Sequence, residues 1–108
     1  MYPQQGYADI VIKRVLLGKR ARKQLKKVPK YVAEKLAGWV STVEEMGVED
    51  ARKIPGYHDE PLLGARKGQR SIRLSISYRA IYEIEKDVRD DDELVEFVSV
   101  NEVTKHEY

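Results

Sequence analysis

Arg73 is the residue whose type and position best suit it to bind a phosphate group. It belongs to the segment Ser71-Ile72-Arg73-Leu74-Ser75, in which polar and apolar residues alternate as in a strand with one buried face. This alternation directs Arg73 away from the Ile72 side of the strand. A planar guanidinium group donates two parallel hydrogen bonds to phosphate oxygens. The pattern therefore predicts an arginine on the open face of a sheet, as a phosphate ligand or as a solvated surface residue.

Acid–base chemistry by histidine has only two candidates, because the chain contains two histidines, His58 and His106. His58 follows the turn-forming pair Pro55-Gly56, and a capping or turn residue is the alternative interpretation. His106 lies close to the C-terminal Tyr108, and a frayed terminal histidine is the alternative there. Each histidine is therefore a candidate general acid or base with a structural alternative beside it.

A metal site is not expected from the sequence. The chain has no cysteine, which excludes disulfides, thiolate zinc sites and a cysteine nucleophile. His58, Asp59 and Glu60 are consecutive, and adjacent residues on regular structure do not all face one ion. The two histidines do not have the spacing of a helical metal-binding pair either. The sequence therefore predicts no metal and no cofactor.

Basic and acidic residues are segregated along the chain, although its net charge is only +2. Residues 1–35 carry a net charge of +8 and residues 66–86 carry +4, whereas residues 36–65 carry −4 and residues 87–108 carry −6. Such asymmetry indicates a polyanionic partner. No apolar run approaches the roughly 18 residues that span a membrane, and residues 1–6 show no signal-peptide pattern. We therefore expect a cytoplasmic protein with no membrane partner.

The hydrophobic pattern predicts a strand and then two helices in the N-terminal half. Ile10-Val11-Ile12 followed by Val15-Leu16 is typical of a short buried strand. Residues 19–28 have helical spacing, with basic side chains surrounding a narrow apolar face. Gly47 is placed to end a second helix. That helix is predicted from one apolar stripe, which consists of Val32, Leu36, Trp39, Val40 and Val43.

The C-terminal half has the period of two that is typical of strands. Residues 71–75, 80–85 and 94–100 are predicted strands, and the acidic run at 87–92 indicates a hairpin loop. Strands joined by short loops favour an antiparallel sheet of three or four strands, with the helices packed on one face. The predicted fold class is α+β. The length of 108 residues fits one domain over the whole chain, whose first eight residues we expect to be flexible.

The segment from residue 58 to residue 84 resembles the HigB branch of the RelE toxins. That branch shows, in order, a histidine, a Leu-x-Gly, an Arg-Lys-Gly-Gln, a Ser-Ile-Arg and an aromatic-Arg-Ile. This chain has, at similar spacing, His58, Leu62-Leu63-Gly64, Arg66-Lys67-Gly68-Gln69, Ser71-Ile72-Arg73 and Tyr78-Arg79-Ala80-Ile81-Tyr82. The order of predicted elements also resembles that family's fold, so the likeness covers most of the chain.

Two features depart from the HigB pattern. Asp59 and Glu60 are extra residues between the histidine and the Leu-x-Gly. The chain ends in Lys105-His106-Glu107-Tyr108, which is closer to the YoeB and RelE branches of the family.

The resemblance implies the toxin of a type II toxin–antitoxin system. Such toxins enter the A site of the 70S ribosome and cleave mRNA there without a metal. The ribose 2′-hydroxyl attacks the neighbouring phosphate, which leaves a cyclic phosphate and a free 5′-hydroxyl. A cognate antitoxin wraps the toxin and blocks it, and we expect this antitoxin to be a helix-turn-helix DNA-binding protein.

Two arginines would hold the phosphate under this resemblance, Arg73 and Arg79. The alternative for Arg79 is an ion pair with Glu83 or Glu85 on its own predicted strand. Three basic residues in the turn before the strand of Arg73 would steer the RNA electrostatically, and three in the first helix would contact ribosomal RNA or form a solvated surface. These residues are Arg66, Lys67, Arg70, Lys19, Arg20 and Lys23.

Proton transfer would fall to His106 or His58, with Tyr108 stacking on a base or assisting the transfer. Glu102 and Glu107 are further possible bases, although a carboxylate beside a phosphate needs compensation by the arginines.

Two other functions remain open. The ParE relatives of the same fold poison DNA gyrase without cutting nucleic acid. A degenerate member of the family would only bind its antitoxin.

Overall fold

The computed structural model describes residues 11–89 and 91–105. These residues form a mixed β-sheet that is covered by helices on one face. Short 3₁₀ turns lie at Pro55–Tyr57 and Gly64–Arg66. The helices are α1 (Lys19–Leu25), α2 (Lys30–Met46) and α3 (Val48–Ala51). The strands are β1 (Val15–Leu17), β2 (Glu60–Pro61), β3 (Arg70–Arg73), β4 (Tyr78–Val88) and β5 (Leu94–Lys105).

The strands lie in the order β1-β5-β4-β3-β2. The pairs β2–β3, β3–β4 and β4–β5 are antiparallel, as the short loops between them predict. The first strand pairs in parallel with the last, with Val15 opposite Val98, so the sheet is mixed rather than purely antiparallel. The predicted α+β class is confirmed, and the parallel first strand is an addition to it.

The helix α2 forms and ends as its sequence predicts. Val32, Leu36, Trp39 and Val43 are fully or almost fully buried, which places one apolar stripe against the sheet. Gly47 follows the helix with a φ of 92°, and its N–H donates to the Val43 carbonyl at 2.8 Å. That backbone conformation is one that glycine adopts without strain.

Several element ends differ from the sequence prediction. The strand predicted at residues 71–75 is Arg70–Arg73, and the one predicted at residues 80–85 is Tyr78–Val88. The first strand begins at Val15, and the residues from Val11 to Arg14 are irregular; Ile10 lies outside the described residues. The helix α1 ends at Leu25 rather than at residue 28, because the N–H groups of the next two residues bond only three carbonyls back. The last strand continues to Lys105 instead of ending at Val100. A β-bulge at Asn101 interrupts the period of two, which is why the pattern hides the second half of this strand.

The two faces of the sheet have different roles. The face toward the helices contributes Ile72, Tyr82 and Val98 to the core, where the rings of Tyr82 and Trp39 lie 4.9 Å apart between centroids. The opposite face, here called the open face, carries polar residues at alternate positions of β3, β4 and β5. No helix within the described ranges is long and apolar enough to cross a membrane.

Candidate active site

Arg73 and Arg79 lie directly opposite each other on the open face. The register of β3 and β4 pairs their Cα positions, so both predicted phosphate ligands are brought together. Arg79 donates from Nη1 to Ser71 Oγ at 3.3 Å, whereas the Arg73 side chain has no hydrogen bond or ion pair with any residue in 11–89 or 91–105. Like charges directly opposite each other destabilise a sheet. The pair is therefore an arrangement that an anion would stabilise.

Glu60 is a residue of this site that the sequence interpretation missed. Its Oε1 lies 3.9 Å from Arg79 Nη1, so Glu60 takes the ion-pair role that was the alternative for Glu83 or Glu85. The Glu60 side chain is 63% exposed, which leaves it accessible to a substrate. It reaches the site because β2, only two residues long, pairs Glu60 with Ser71. Nothing in the residue spacing marks such a short strand, so no sequence signal could have found it.

A shallow groove with a volume of about 320 Å³ runs along the open face beside Arg79, whereas Arg73 does not line it. Ser71 and Ile81 form its floor and are almost fully buried. The residues that line it are Glu60, Leu62, Arg66, Ser71, Arg79, Ile81 and Thr104.

Arg66 and Arg20 meet at one carboxylate next to this groove. Arg66 donates from Nη2 to Glu102 Oε1 at 2.6 Å, and Arg20 Nη2 lies 3.7 Å from Glu102 Oε2. The Glu102 side chain is only 12% exposed. Of the candidate RNA-binding residues, Arg66 therefore lines the groove and Arg20 borders it.

The remaining basic candidates lie elsewhere. Lys67 is exposed in the turn before β3. Lys19 and Lys23 share a separate shallow depression on α1 with Arg22 and Lys26. None of these four basic side chains has a carboxylate within ion-pair distance among the residues described. The depression is thus a second basic surface, distinct from the groove.

Arg70, which the resemblance groups with the RNA-binding residues, points toward the other face. It occupies the position opposite Tyr82 and donates from Nε to Asp59 Oδ1 at 2.5 Å. Alternation already carried this signal, because Arg70 is two residues from the buried Ile72. The Asp59 side chain is fully buried, so Arg70 is committed to a structural ion pair and is not part of the groove.

Asp59 is the centre of a buried polar network. The Tyr82 hydroxyl donates to Asp59 Oδ2 at 2.5 Å and accepts from Arg52 Nε at 3.3 Å. Burial and the hydrogen bond to Asp59 raise the pKa of Tyr82 to about 12. Burial lowers the pKa of Arg70, but the hydrogen bond and charge of Asp59 outweigh it and raise that pKa overall. The network ties the segment that carries Glu60 to the core of the protein.

The raised pKa of Tyr82 predicts a loss of stability at alkaline pH. The tyrosines of the unfolded chain titrate near pH 10, so the stabilisation of the neutral phenol is complete below about pH 10 and is lost as the pH rises toward about 12. We expect the wild-type free energy of unfolding to fall over this range by about 2 kcal/mol more than that of Tyr82→Phe. Urea titrations across this range measure the difference. Tyr31→Phe, at an exposed tyrosine, is the matched control. If the free energy of unfolding depends on pH equally in the wild type and in Tyr82→Phe, the raised pKa of Tyr82 is contradicted.

Only His58 of the two histidines lies within the described residues. His58 is exposed, adopts a left-handed conformation with a φ of 46°, and its backbone N–H donates to the Pro55 carbonyl at 3.1 Å. It therefore caps a 3₁₀ turn, and it does not line the groove. His106 and Tyr108 lie outside the described residues. The last described residue, Lys105, pairs with Tyr78, the neighbour of Arg79.

The described residues contain no group of three or more histidines and carboxylates arranged to hold a metal ion. The charged groups of this site are two opposed arginines and a carboxylate beside Arg79. Such groups suit the binding of a phosphate and the transfer of a proton.

Comparison with known proteins relates the chain to bacterial toxins. The family model described as the ParE toxin of the type II toxin–antitoxin system parDE matches residues 15–103. Comparison with curated protein sequences gave no match.

Solved structures of toxins share the fold. YafQ from E. coli strain BL21(DE3) is 16% identical with a TM-score of 0.61, over 84% of this chain and 90% of that chain. A YoeB/ParE toxin from Agrobacterium tumefaciens is 15% identical with a TM-score of 0.58, over 87% and 99%. The toxin–antitoxin complex RelBE2 from Mycobacterium tuberculosis contains a chain that is 17% identical with a TM-score of 0.57, over 90% and 100%.

Proposed function

This chain belongs to the ParE toxin family of type II toxin–antitoxin systems, and we propose that it acts as an endoribonuclease that cleaves mRNA in the ribosomal A site. The observation that carries the proposal is the pair of arginines opposed across β3 and β4, with Glu60 beside Arg79. The resemblance of residues 58–84 to the HigB branch supports mRNA as the substrate. A cognate antitoxin is the proposed protein partner, and the cytoplasm is the proposed site of action.

The proposed reaction needs a base, a phosphate ligand and an acid. Glu60 accepts the proton of the ribose 2′-hydroxyl, whose oxygen then forms a bond to the adjacent phosphorus. Arg73 and Arg79 stabilise the charge that develops on the phosphate oxygens. The bond from phosphorus to the 5′-oxygen breaks, and His106 gives that oxygen a proton. The products are a 2′,3′-cyclic phosphate and a free 5′-hydroxyl, and no metal takes part.

Glu60→Gln tests this assignment of the base. We expect this variant to cleave RNA about 100-fold more slowly than the wild type, because general base catalysis contributes roughly 10²–10⁴-fold. The measurements are cleavage of a defined mRNA on ribosomes in their magnesium buffer and cleavage of the free mRNA in the presence of a chelator, with analysis of the product ends. Glu85→Gln, on the same face but distant from Arg79 in register, is the matched control. Cleavage by Glu60→Gln at the wild-type rate would remove Glu60 from the mechanism.

A gyrase-binding toxin is the second candidate, and the match of the ParE family model favours it. This candidate needs no cleavage of RNA. Inhibition of DNA supercoiling by the purified chain, with transcripts left intact, would support it against the endoribonuclease. Cyclic-phosphate ends on cleaved mRNA, with supercoiling unaffected, would support the endoribonuclease.

A further inference from the structure

A β-bulge in β5 directs Glu102 toward the open face. Ile81 of β4 pairs with Glu102, but the next residue, Tyr82, pairs with Val100, so Asn101 is one extra residue on β5. Without this residue, strict alternation would place Glu102 on the core face with Val100. Bulges often re-aim a side chain next to an active site. The bulge therefore determines that a carboxylate lies beside the groove.

Hydrogen bonds from three elements fix the bulge. Asn101 donates from Nδ2 to Glu83 Oε1 on β4 at 2.7 Å, and Ser99 Oγ donates to Asn101 Oδ1 at 2.8 Å. On the other side, the Val103 N–H donates to Gln24 Oε1 of α1 at 2.7 Å. These hydrogen bonds hold the backbone that orients the Glu102 side chain.

The Glu102 carboxylate holds two arginines that come from different parts of the chain. Arg66 belongs to the turn before β3 and Arg20 to α1, and each lies at one carboxylate oxygen. A carboxylate that is almost removed from water requires such partners. Arg66 also donates from Nε to Gln69 Oε1 at 2.8 Å, and no further acceptor among residues 11–89 and 91–105 occupies its remaining N–H groups, which can bind a ligand. Both contacts reduce the freedom of a side chain that lines the groove.

We propose that Glu102 is a positioning residue, which orients Arg66 and Arg20 to bind the RNA phosphate next to the one held by Arg73 and Arg79. This inference rests on the proposed function. Thr104 pairs with Arg79, and Glu102 lies two residues away on the same face, about 7 Å along β5. The Arg66–Glu102–Arg20 cluster therefore extends the cationic surface of the groove from β4 toward α1.

Salt dependence of RNA binding tests the second phosphate contact. The probe is a single-stranded RNA with methylated 2′-hydroxyls, which cannot supply the attacking oxygen. Each phosphate contact on a single strand contributes roughly 0.7 to the slope of log affinity against log salt concentration. We expect Arg66→Ala to lower that slope by about 0.7, whereas Arg89→Ala, at the far end of the β4–β5 hairpin, leaves it unchanged. An unchanged slope for Arg66→Ala would overturn the second contact.

Glu102→Gln tests the positioning role, because glutamine keeps the shape and removes the charge. We expect this variant to bind the methylated RNA about as tightly as the wild type, because the loss of a negative charge that faces the polyanion offsets the weaker contact of a misoriented Arg66. It should cleave unmethylated RNA at least roughly 10-fold more slowly, because Arg66 is no longer held in place. In an Arg66→Ala background the same change should have little further effect on cleavage.

Three results would contradict the positioning role. Cleavage by Glu102→Gln at the wild-type rate would show that the orientation of Arg66 does not matter. If Glu102→Gln also lowers the affinity in a background where Arg66 and Arg20 are both alanine, Glu102 contacts the RNA itself. An equal effect of Glu102→Gln with and without Arg66 would show that it acts through another group. If the wild type binds the methylated RNA with the expected salt slopes but cleaves nothing, the proposed endoribonuclease fails while the second phosphate contact stands.

Discussion

Arg73→Ala is expected to cleave RNA roughly 10²–10³-fold more slowly than the wild type, the usual cost of removing a group that stabilises charge in the transition state. Folding should be unaffected, because the Arg73 side chain makes no hydrogen bond or ion pair with the described residues and faces a like charge in Arg79. The measurements are the rate of cleavage of a defined mRNA and growth after induced expression. Loss of cleavage together with growth of the induced cells is the expected pair of outcomes.

Arg89→Ala is the matched control for this substitution. Arg89 is an exposed arginine whose Nη1 lies 3.4 Å from Glu93 in the loop between β4 and β5, far along β4 from Arg79. It should keep the wild-type rate, which separates a local effect from a change in net charge. If Arg73→Ala still arrests growth and leaves mRNA intact, the arginine pair is not a phosphate site, and the gyrase-binding candidate becomes the better one.

The elements that local periodicity dictates were predicted well. The helix α2 follows from one apolar stripe and a terminal glycine, and both determinants are contained in neighbouring residues. The end of β5 was not predicted, because the bulge at Asn101 puts two polar residues in succession and breaks the period of two. The parallel pairing of β1 with β5 joins residues about 80 positions apart, and no local pattern specifies such a contact.

The candidate site was likewise predicted in part, where local periodicity specifies the position of a side chain. Alternation placed Arg73 on the open face, and the antiparallel hairpin then put it opposite Arg79. Glu60 and Glu102 joined the site through a two-residue strand and a bulge, which leave no periodic signal. Arg70 is the opposite case, because a sequence signal was present and the resemblance overrode it. Its position two residues before Ile72 already indicated the core side of the sheet.

Asp59→Ala is expected to lower the free energy of unfolding by about 3 kcal/mol, within the range measured when one partner of a buried ion pair is removed. The Asp59 carboxylate is fully buried, and its loss leaves the guanidinium of Arg70, which is only 25% exposed, without its charged partner. The Tyr82 hydroxyl loses its acceptor in the same step. A domain of this size is stable by roughly 5–15 kcal/mol, so the variant should still fold. Urea or thermal unfolding measures the change.

Asp50→Ala is the matched control, because Asp50 forms an ion pair with Lys53 on the surface, where its side chain is 61% exposed. Such pairs contribute about 0–1 kcal/mol, so this variant should remain close to the wild type. The segment that carries Glu60 is fastened to the core through its neighbour Asp59, so the folded Asp59→Ala protein should also cleave RNA more slowly at a temperature well below its unfolding transition. Wild-type stability in Asp59→Ala would show that Arg70 and Tyr82 find water or other partners, and a wild-type rate of cleavage would show that β2 alone holds Glu60 in the groove.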